Sequence, residues 1–340
     1  MKRGLFALLL IFISSSTFAQ TSGESVFEFL NLPSTARQSA LGGSVLTLDN
    51  DVNQPLWNPA SIDSTLNNKM SANYTSFLAG INLGSFSYAT KFNEKLGVFH
   101  MGITYMDYGE LTRADEFGTI NGQFKAYDMA ISVGYSYYIK ALKMNVGANV
   151  KFINSLIDTY SSLAIATDIG FYFKSAKSPF KTALVFRNLG TQLKSFDGLK
   201  EKLPFAISFG VSSQLQHVPI RWFVTLDNLQ KWNIGDPNPS NSTVELESEE
   251  SIQEDISFIN NFSRHFVLGV ELFPQNKLTF RLGYNGKRAK ELIIPNTRSF
   301  GGLSYGFGLK LNKIRLNYSL TRFHPASNSN TFSLVVDLNN

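Results

Sequence analysis

Few residue sets in this chain could perform chemistry. Its four histidines, His100, His217, His265 and His324, are scattered, with no i, i+4 pairing and no acidic neighbour at ligand spacing, so no metal site is expected. The absence of cysteine excludes thiolate metal centres and a disulfide framework. The run GGLSYGFG at 301–308 is glycine-rich, yet it follows an alternating strand pattern and does not precede a helix, so it does not read as a phosphate-cradling loop. No G-x-S-x-G motif occurs, and scattered Asp and Ser residues do not define a nucleophile with its base. The expectation is therefore no catalytic residue, no cofactor and no metal. A formal net charge of +5, of which Lys2 and Arg3 are part, is too mild to argue for nucleic acid.

The charged residues that do occur keep to one side of extended segments. In MNVGANVKFI (144–153), Met144, Val146, Ala148, Val150 and Phe152 alternate with Asn145, Gly147, Asn149 and Lys151. The same parity groups Asp168 with Ala166 and Gly170, Arg221 and Asp227 with Thr225, Glu271 with Gly269, and Arg281 with Thr279 and Gly283. Lys310 goes with Ser304 and Gly308, and Arg315 with Asn317 and Ser319. The opposite faces read Trp222, Val224, Leu226; Leu268, Val270, Leu272; Phe280, Leu282, Tyr284. An Arg or Lys facing lipid at mid-depth costs about 2–4 kcal/mol, so hydrocarbon selects this segregation. The exterior of a secreted soluble sandwich would also accept it.

Period-2 alternation bounded by turn signals predicts strands at 69–78, 81–92, 95–106, 126–139, 143–154, 163–174, 180–188, 204–216, 219–229, 265–274, 277–286, 300–312, 313–324 and 330–338. That is an even number, and most are long enough to cross a bilayer at a tilt. The eleven prolines avoid strand centres, so none removes a ladder hydrogen bond. Connections after even-numbered strands are tight. Most of those after odd-numbered strands are long: 107–125, 155–162, 189–203, 230–264 and 287–299. Sorting of this kind suits an outer-membrane barrel with short periplasmic turns and long extracellular loops. Aromatic residues near strand ends, Tyr74, Tyr105, Tyr138, Phe173, Tyr284 and Phe323, fit interface girdles in contact with outer-membrane lipid.

The predicted architecture is all-β: a fourteen-stranded antiparallel transmembrane β-barrel over 69–340. Residues 1–19 read as a signal peptide, with Lys2 and Arg3, an apolar run Leu5–Ile13 and small residues Thr17 and Ala19 ahead of the cut. This implies export and cleavage, then residence in the bacterial outer membrane. Residues 20–68 do not alternate and read as a hatch or plug. There NLPSTARQSALGG offers Ser34 as a helix N-cap and Gly42-Gly43 as the stop, and WNPAS places Asn58 as the cap before Pro59.

DNDVNQPLWNPA (49–60), with its triplet Asn58, Pro59 and Ala60, resembles the N-terminal hatch of FadL-like fourteen-stranded barrels. FEFLNLPSTARQSALGG (27–43), carrying Leu32, Pro33, Ser34, Ala36, Arg37, Gly42 and Gly43, is similar to the PorV/PorQ family of the type IX secretion system of Bacteroidetes. KFINSLIDTYSSLAIATDIG (151–170) and HVPIR (217–221) extend that likeness. The resemblance implies a non-catalytic scaffold that anchors PorZ within the attachment complex containing PorU and PorV, with a link to lipopolysaccharide. The chain departs from common outer-membrane practice in following Phe332, Leu334, Val336 and Leu338 with Asn339-Asn340 and not a terminal aromatic. The alternative is a FadL-like transporter of hydrophobic small molecules, which calls for an apolar pocket near Trp57 and Asn58. A porin for polar solutes would need an open lumen.

The 230–264 loop combines a turn-rich start with an acidic run, Glu245, Glu247, Glu249, Glu250, Glu254 and Asp255. Ile252, Ile256 and Ile259 follow at helix-face spacing, which would make an extracellular docking surface. A merely solvated acidic face is the competing reading.

Overall fold

The computed structural model describes residues 25–93, 95–235, 243–244, 251–252, 256–293 and 300–339. The signal-peptide expectation at 1–19 and the acidic residues Glu245, Glu247, Glu249, Glu250, Glu254 and Asp255 lie outside the described residues.

Fourteen antiparallel strands close into one barrel. They are β1 Lys69–Ser76, β2 Asn82–Asn93, β3 Gly97–Ala114, β4 Ile120–Ile139, β5 Met144–Ile157, β6 Tyr160–Lys174, β7 Lys181–Lys194 and β8 Ala206–Gln214. The remainder are β9 Ile220–Leu226, β10 Phe266–Leu272, β11 Leu278–Asn285, β12 Leu303–Leu311, β13 Ile314–His324 and β14 Ser327–Asp337. Closure is made by β1 against β14, from Lys69↔Asp337 to Ser76↔Asn330, so the sheet has no free edge.

The alternation noted in MNVGANVKFI now has two addresses. Phe152 is 58% exposed on the outer wall, while Lys151 and Asn149 are buried in the lumen. Around the circumference Leu268, Phe280, Leu282, Tyr305, Phe307 and Leu316 all face outward and are exposed, whereas Asp168, Glu271 and Arg281 are buried inside. An apolar exterior around a polar interior inverts the soluble sandwich and matches a transmembrane barrel.

Two expectations about connections change. The segment 107–125 is mostly ladder: β3 and β4 stay paired as far as Ala114↔Ile120, across a bulge beside Gly109, whose φ is +74°. Likewise β5 and β6 meet at Ile157↔Tyr160, so 155–162 is a tight hairpin. Polar and charged residues fall on both faces of each stretch among isolated apolar ones such as Leu111 and Ile157, which blurs the period-2 signal. The end opposite the short turns is still distinguished by 195–205, 227–265 and 286–302. The last contains a helix, Gly286–Glu291, whose N-cap Asn285 accepts a hydrogen bond from the Arg288 amide.

Residues 27–68 thread the lumen as a plug. They enter at the long-loop end, where the Val26 amide donates to the Lys202 carbonyl, and leave at the short-turn end into β1. Phe27 and Phe29 sit in an apolar layer with Leu83, Met106, Ile153 and Leu203. The helix within the plug spans Ala36–Ala40, and its cap is Thr35, not Ser34. The Thr35 hydroxyl reaches the Gln38 amide at 3.3 Å, whereas the Ser34 carbonyl accepts from the Ser85 hydroxyl of the wall. Gly42 (φ +97°) and Gly43 (φ +104°) end the helix, and the Gly43 amide closes back on the Gln38 carbonyl at 2.9 Å.

Candidate functional site

A plug built mostly of irregular chain leaves backbone carbonyls without partners, and the barrel wall supplies them. His100 meets the Val52 carbonyl (2.9 Å), Asn149 the Pro55 carbonyl (2.6 Å), Tyr172 the Thr47 carbonyl (3.1 Å) and Asn285 the Gly42 carbonyl (3.0 Å). Ser304 and Thr321 reach the carbonyls of Ala40 and Ser39 (both 3.3 Å). In return the Ala36 amide donates to the Ser333 hydroxyl at 2.9 Å. Six strands supply these donors and a seventh the Ser333 acceptor, so the plug is held from several sides of the barrel.

Glycine lets it approach the wall. The Asn58 amide group donates to the Leu46 carbonyl, and its Oδ1 accepts from the Ala60 amide, which fixes the turn Pro59–Ser61. That turn rests on Gly147 and Gly170, which face each other on β5 and β6. A Cβ at Gly147 would lie 2.5 Å from the Ala60 nitrogen and closer still to the Pro59 carbonyl carbon. Further round the wall, Gly269 and Gly283, paired on β10 and β11, receive Ala40, Leu41 and Gly42; a Cβ at Gly283 would stand 2.6 Å from the Ala40 oxygen. Asn58, Pro59 and Ala60 thus contact one cradle and Gly42 the other, while Gly43 does not touch either. Leu32 packs beside the apolar layer, and Pro33 lies against Gly43.

Arg37 is the centre of an internal charge network. Its Nε and Nη2 form a fork on Glu271 at 2.8 and 2.9 Å, and Nη1 reaches Asp51 at 3.3 Å. Arg281 (Nε, 2.9 Å) and Arg221 (3.4 Å) bind the same carboxylate, which is 1% exposed. A second buried pair, Lys151–Asp168 at 2.8 Å, lies in the wall near the plug. At the short-turn end Lys181 contacts Asp49, and Lys174 bridges Asp49 (3.2 Å) and Asp63 (2.8 Å). Burial alone would raise the Asp63 carboxyl. The Lys174 ammonium and hydrogen bonds from Thr65 outweigh it and hold the group below 3.8.

Two recesses flank the plug. One, about 150 Å³, opens among the short turns beside Arg37 and Arg281. The other, about 220 Å³, lies at the long-loop end and is bounded by Pro33, Trp57, Leu292, Phe323 and Arg288. Trp57 stacks under the Arg187 guanidinium at 4.1 Å, and Arg288 lies over the Phe323 ring at 4.9 Å. Burial lowers the Arg288 guanidinium to about 10. Asn58, expected near an apolar pocket, is fully enclosed, and Trp57 borders a recess of mixed polarity.

The expected helix face through Ile252, Ile256 and Ile259 is not formed. Ser251–Ile252 pairs as a short ladder with Thr243–Val244, and the helix is Phe258–Arg264. Ser257 caps that helix, its side chain accepting from the Asn260 amide, so the helix begins after Ile256. Ile256 is half-buried and Ile259 is 78% exposed. Sequence reading missed Trp232, which stacks with Phe258 (4.8 Å), Phe262 and His265 in an aromatic ledge; the i, i+4 spacing of Phe258, Phe262 and Phe266 was the available signal. Histidines 100 and 265 serve backbone carbonyls, and among the described residues no three His, Asp or Glu side chains gather as metal ligands.

No family model and no curated protein matches the chain. Solved structures do. The Ralstonia pickettii toluene transporter TbuX is 14% identical, with 92% of this chain and 98% of that one covered at a TM-score of 0.50. The TodX monoaromatic hydrocarbon channel, as its deltaS2 mutant, is 12% identical over 89% and 97%, also at 0.50. A Pseudomonas aeruginosa FadL homologue is 11% identical over 90% and 98%, at 0.47. At these identities the likeness is one of fold: a FadL-like, outer-membrane-type barrel of fourteen strands with an N-terminal plug in its lumen.

Proposed function

We propose that the protein is a non-catalytic outer-membrane component of type IX protein secretion, of the PorV/PorQ kind, and that its long-loop end anchors PorZ in the attachment complex with PorU and PorV. The observation that supports this reading is the lumen, packed by a plug bonded to the wall from several sides and seated on two glycine cradles. Such a barrel suits a rigid outward platform better than a conduit. The exposed ledge of Trp232, Phe258 and Ile259 is where an extracellular partner would meet it, in keeping with the aromatic enrichment of binding surfaces. Affinity purification of the tagged protein from outer membranes in mild detergent is expected to recover PorZ. Reproducible failure refutes the reading. Deleting residues 238–256, or substituting Trp232→Ala with Phe258→Ala, separates acidic-loop docking from ledge docking by PorZ retention at the cell surface. Lipopolysaccharide recognition is assigned to the partner.

A second reading, a transporter of hydrophobic small molecules, draws more support from the solved neighbours, whose names state toluene transport and monoaromatic hydrocarbon passage. Its specific structural support is the recess at Trp57 and Phe323. Uptake of a labelled monoaromatic hydrocarbon by cells with and without the protein tests it; equal uptake removes it.

A further inference from the structure

We propose that the recess at the short-turn end is a binding site for a small phosphate-type oxyanion. Arg37, Arg281, Arg315, Lys277 and Lys310 line it, against the one carboxylate of Glu271. That carboxylate is already saturated: both oxygens are taken by Arg37, with Arg281 on one and Arg221 on the other. Arg281 commits Nε to Glu271 and Nη1 to Asn317, and its Nη2 has no partner among the described residues. Arg315 is partly buried and, with Lys277 and Lys310, has no side-chain hydrogen bond or ion pair among the described residues.

Taking guanidinium groups partly out of water without matching negative charge is unfavourable, and a bound anion removes the imbalance. The planar fork of arginine matches phosphate oxygens two at a time, and the lysines at the rim add point charge. A volume of about 150 Å³ admits inorganic phosphate or the head of a phosphate monoester. It is too small for an oligosaccharide. The recess lies beside the turn Pro274–Lys277 and the paired strand ends at Lys310 and Arg315, the end that topology places in the periplasm. The inference does not depend on whether the barrel anchors a partner or passes a solute.

The test uses the full mature chain folded in neutral detergent, titrated with inorganic phosphate by calorimetry and by thermal unfolding, against chloride at equal ionic strength. Saturable phosphate binding with a raised unfolding temperature is expected. Arg315→Gln should weaken it about tenfold, the scale of a lost charge-assisted hydrogen bond, and Lys310→Gln less. An equal response to chloride overturns the site, as does unchanged affinity in Arg315→Gln with the heat-modifiable barrel intact. If Arg315→Gln does not fold, Lys310→Gln with Lys277→Gln, both at exposed positions, carries the test, and unchanged affinity there overturns the site. Repeating the titration in phosphatidylglycerol and phosphatidylcholine vesicles identifies the source. A phosphate response abolished only by phosphatidylglycerol assigns the site to a lipid headgroup, and one equal in both assigns it to a soluble phosphate.

Discussion

Replacing Glu271 with glutamine tests the internal charge network with minimal change of shape. The side chain is buried, and its carboxylate receives four guanidinium hydrogen bonds between 2.8 and 3.4 Å. Glu271→Gln removes the charge that three arginines share and turns an amide N–H towards a donor, leaving Asp51 as the carboxylate on Arg37. Breaking a buried ion pair from one side costs about 3–5 kcal/mol, because the uncompensated charges stay desolvated. Arg37→Met should cost less, about 1.5–3 kcal/mol, since Glu271 keeps Arg281 and Arg221. The double variant should fall short of the sum by at least about 1 kcal/mol, as expected for side chains in one network. Urea unfolding in lipid vesicles, followed by tryptophan fluorescence and by gel mobility before heating, reads all three. A loss below about 1 kcal/mol in Glu271→Gln, or strict additivity in the double variant, would refute a network that ties plug to wall.

Gly147→Ala forces a methyl group against the Pro59–Ala60 backbone, an overpacking that costs about 1–3 kcal/mol; protease cleavage within 27–68 should accelerate while the barrel stays folded, and Gly84→Ala, whose Cβ would meet nothing nearer than 3.9 Å, should match wild type. Because the folded Asp63 carboxyl titrates below 3.8, its stabilising share is complete above that value and is lost as pH falls through the folded value. Protection of the plug from an acid protease should therefore drop below about pH 4 in wild type, and Asp63→Asn should flatten that step. Arg288→Met should be neutral or stabilising within about 1 kcal/mol in the same urea assay, since the buried Nε has no partner among the described residues and the contact with Gly42 is long at 3.5 Å.

The strands were legible because lipid on one side and polar lumen on the other impose a strict period of two, as in Val150, Lys151 and Phe152. Where polar and charged residues fall on both faces, in the hairpin above Asp107 and Lys125, that signal blurs and the ladder passes for a loop. The plug was legible as a break in alternation. Its seating was not: Gly147, Gly170, Gly269 and Gly283 show only as small lumen residues, and their meaning lies in backbone brought to them from about a hundred or more residues away in sequence. Arg37 stood in the segment shared with the PorV/PorQ family, yet nothing in its spacing pointed to Glu271. The helical pattern drawn through Ile252 failed for a local reason, since Ser251–Ile252 found a strand partner in Thr243–Val244.

The two glycine cradles sit on separate walls, one on β5 and β6 and the other on β10 and β11. A single short segment must therefore bridge the lumen and touch both walls at once. It works as an internal caliper: a sheet with one strand too many or too few would present its cradles at the wrong separation, and the segment would stay unseated. Because that segment precedes every strand in the chain, the gauge is made before the ring it measures.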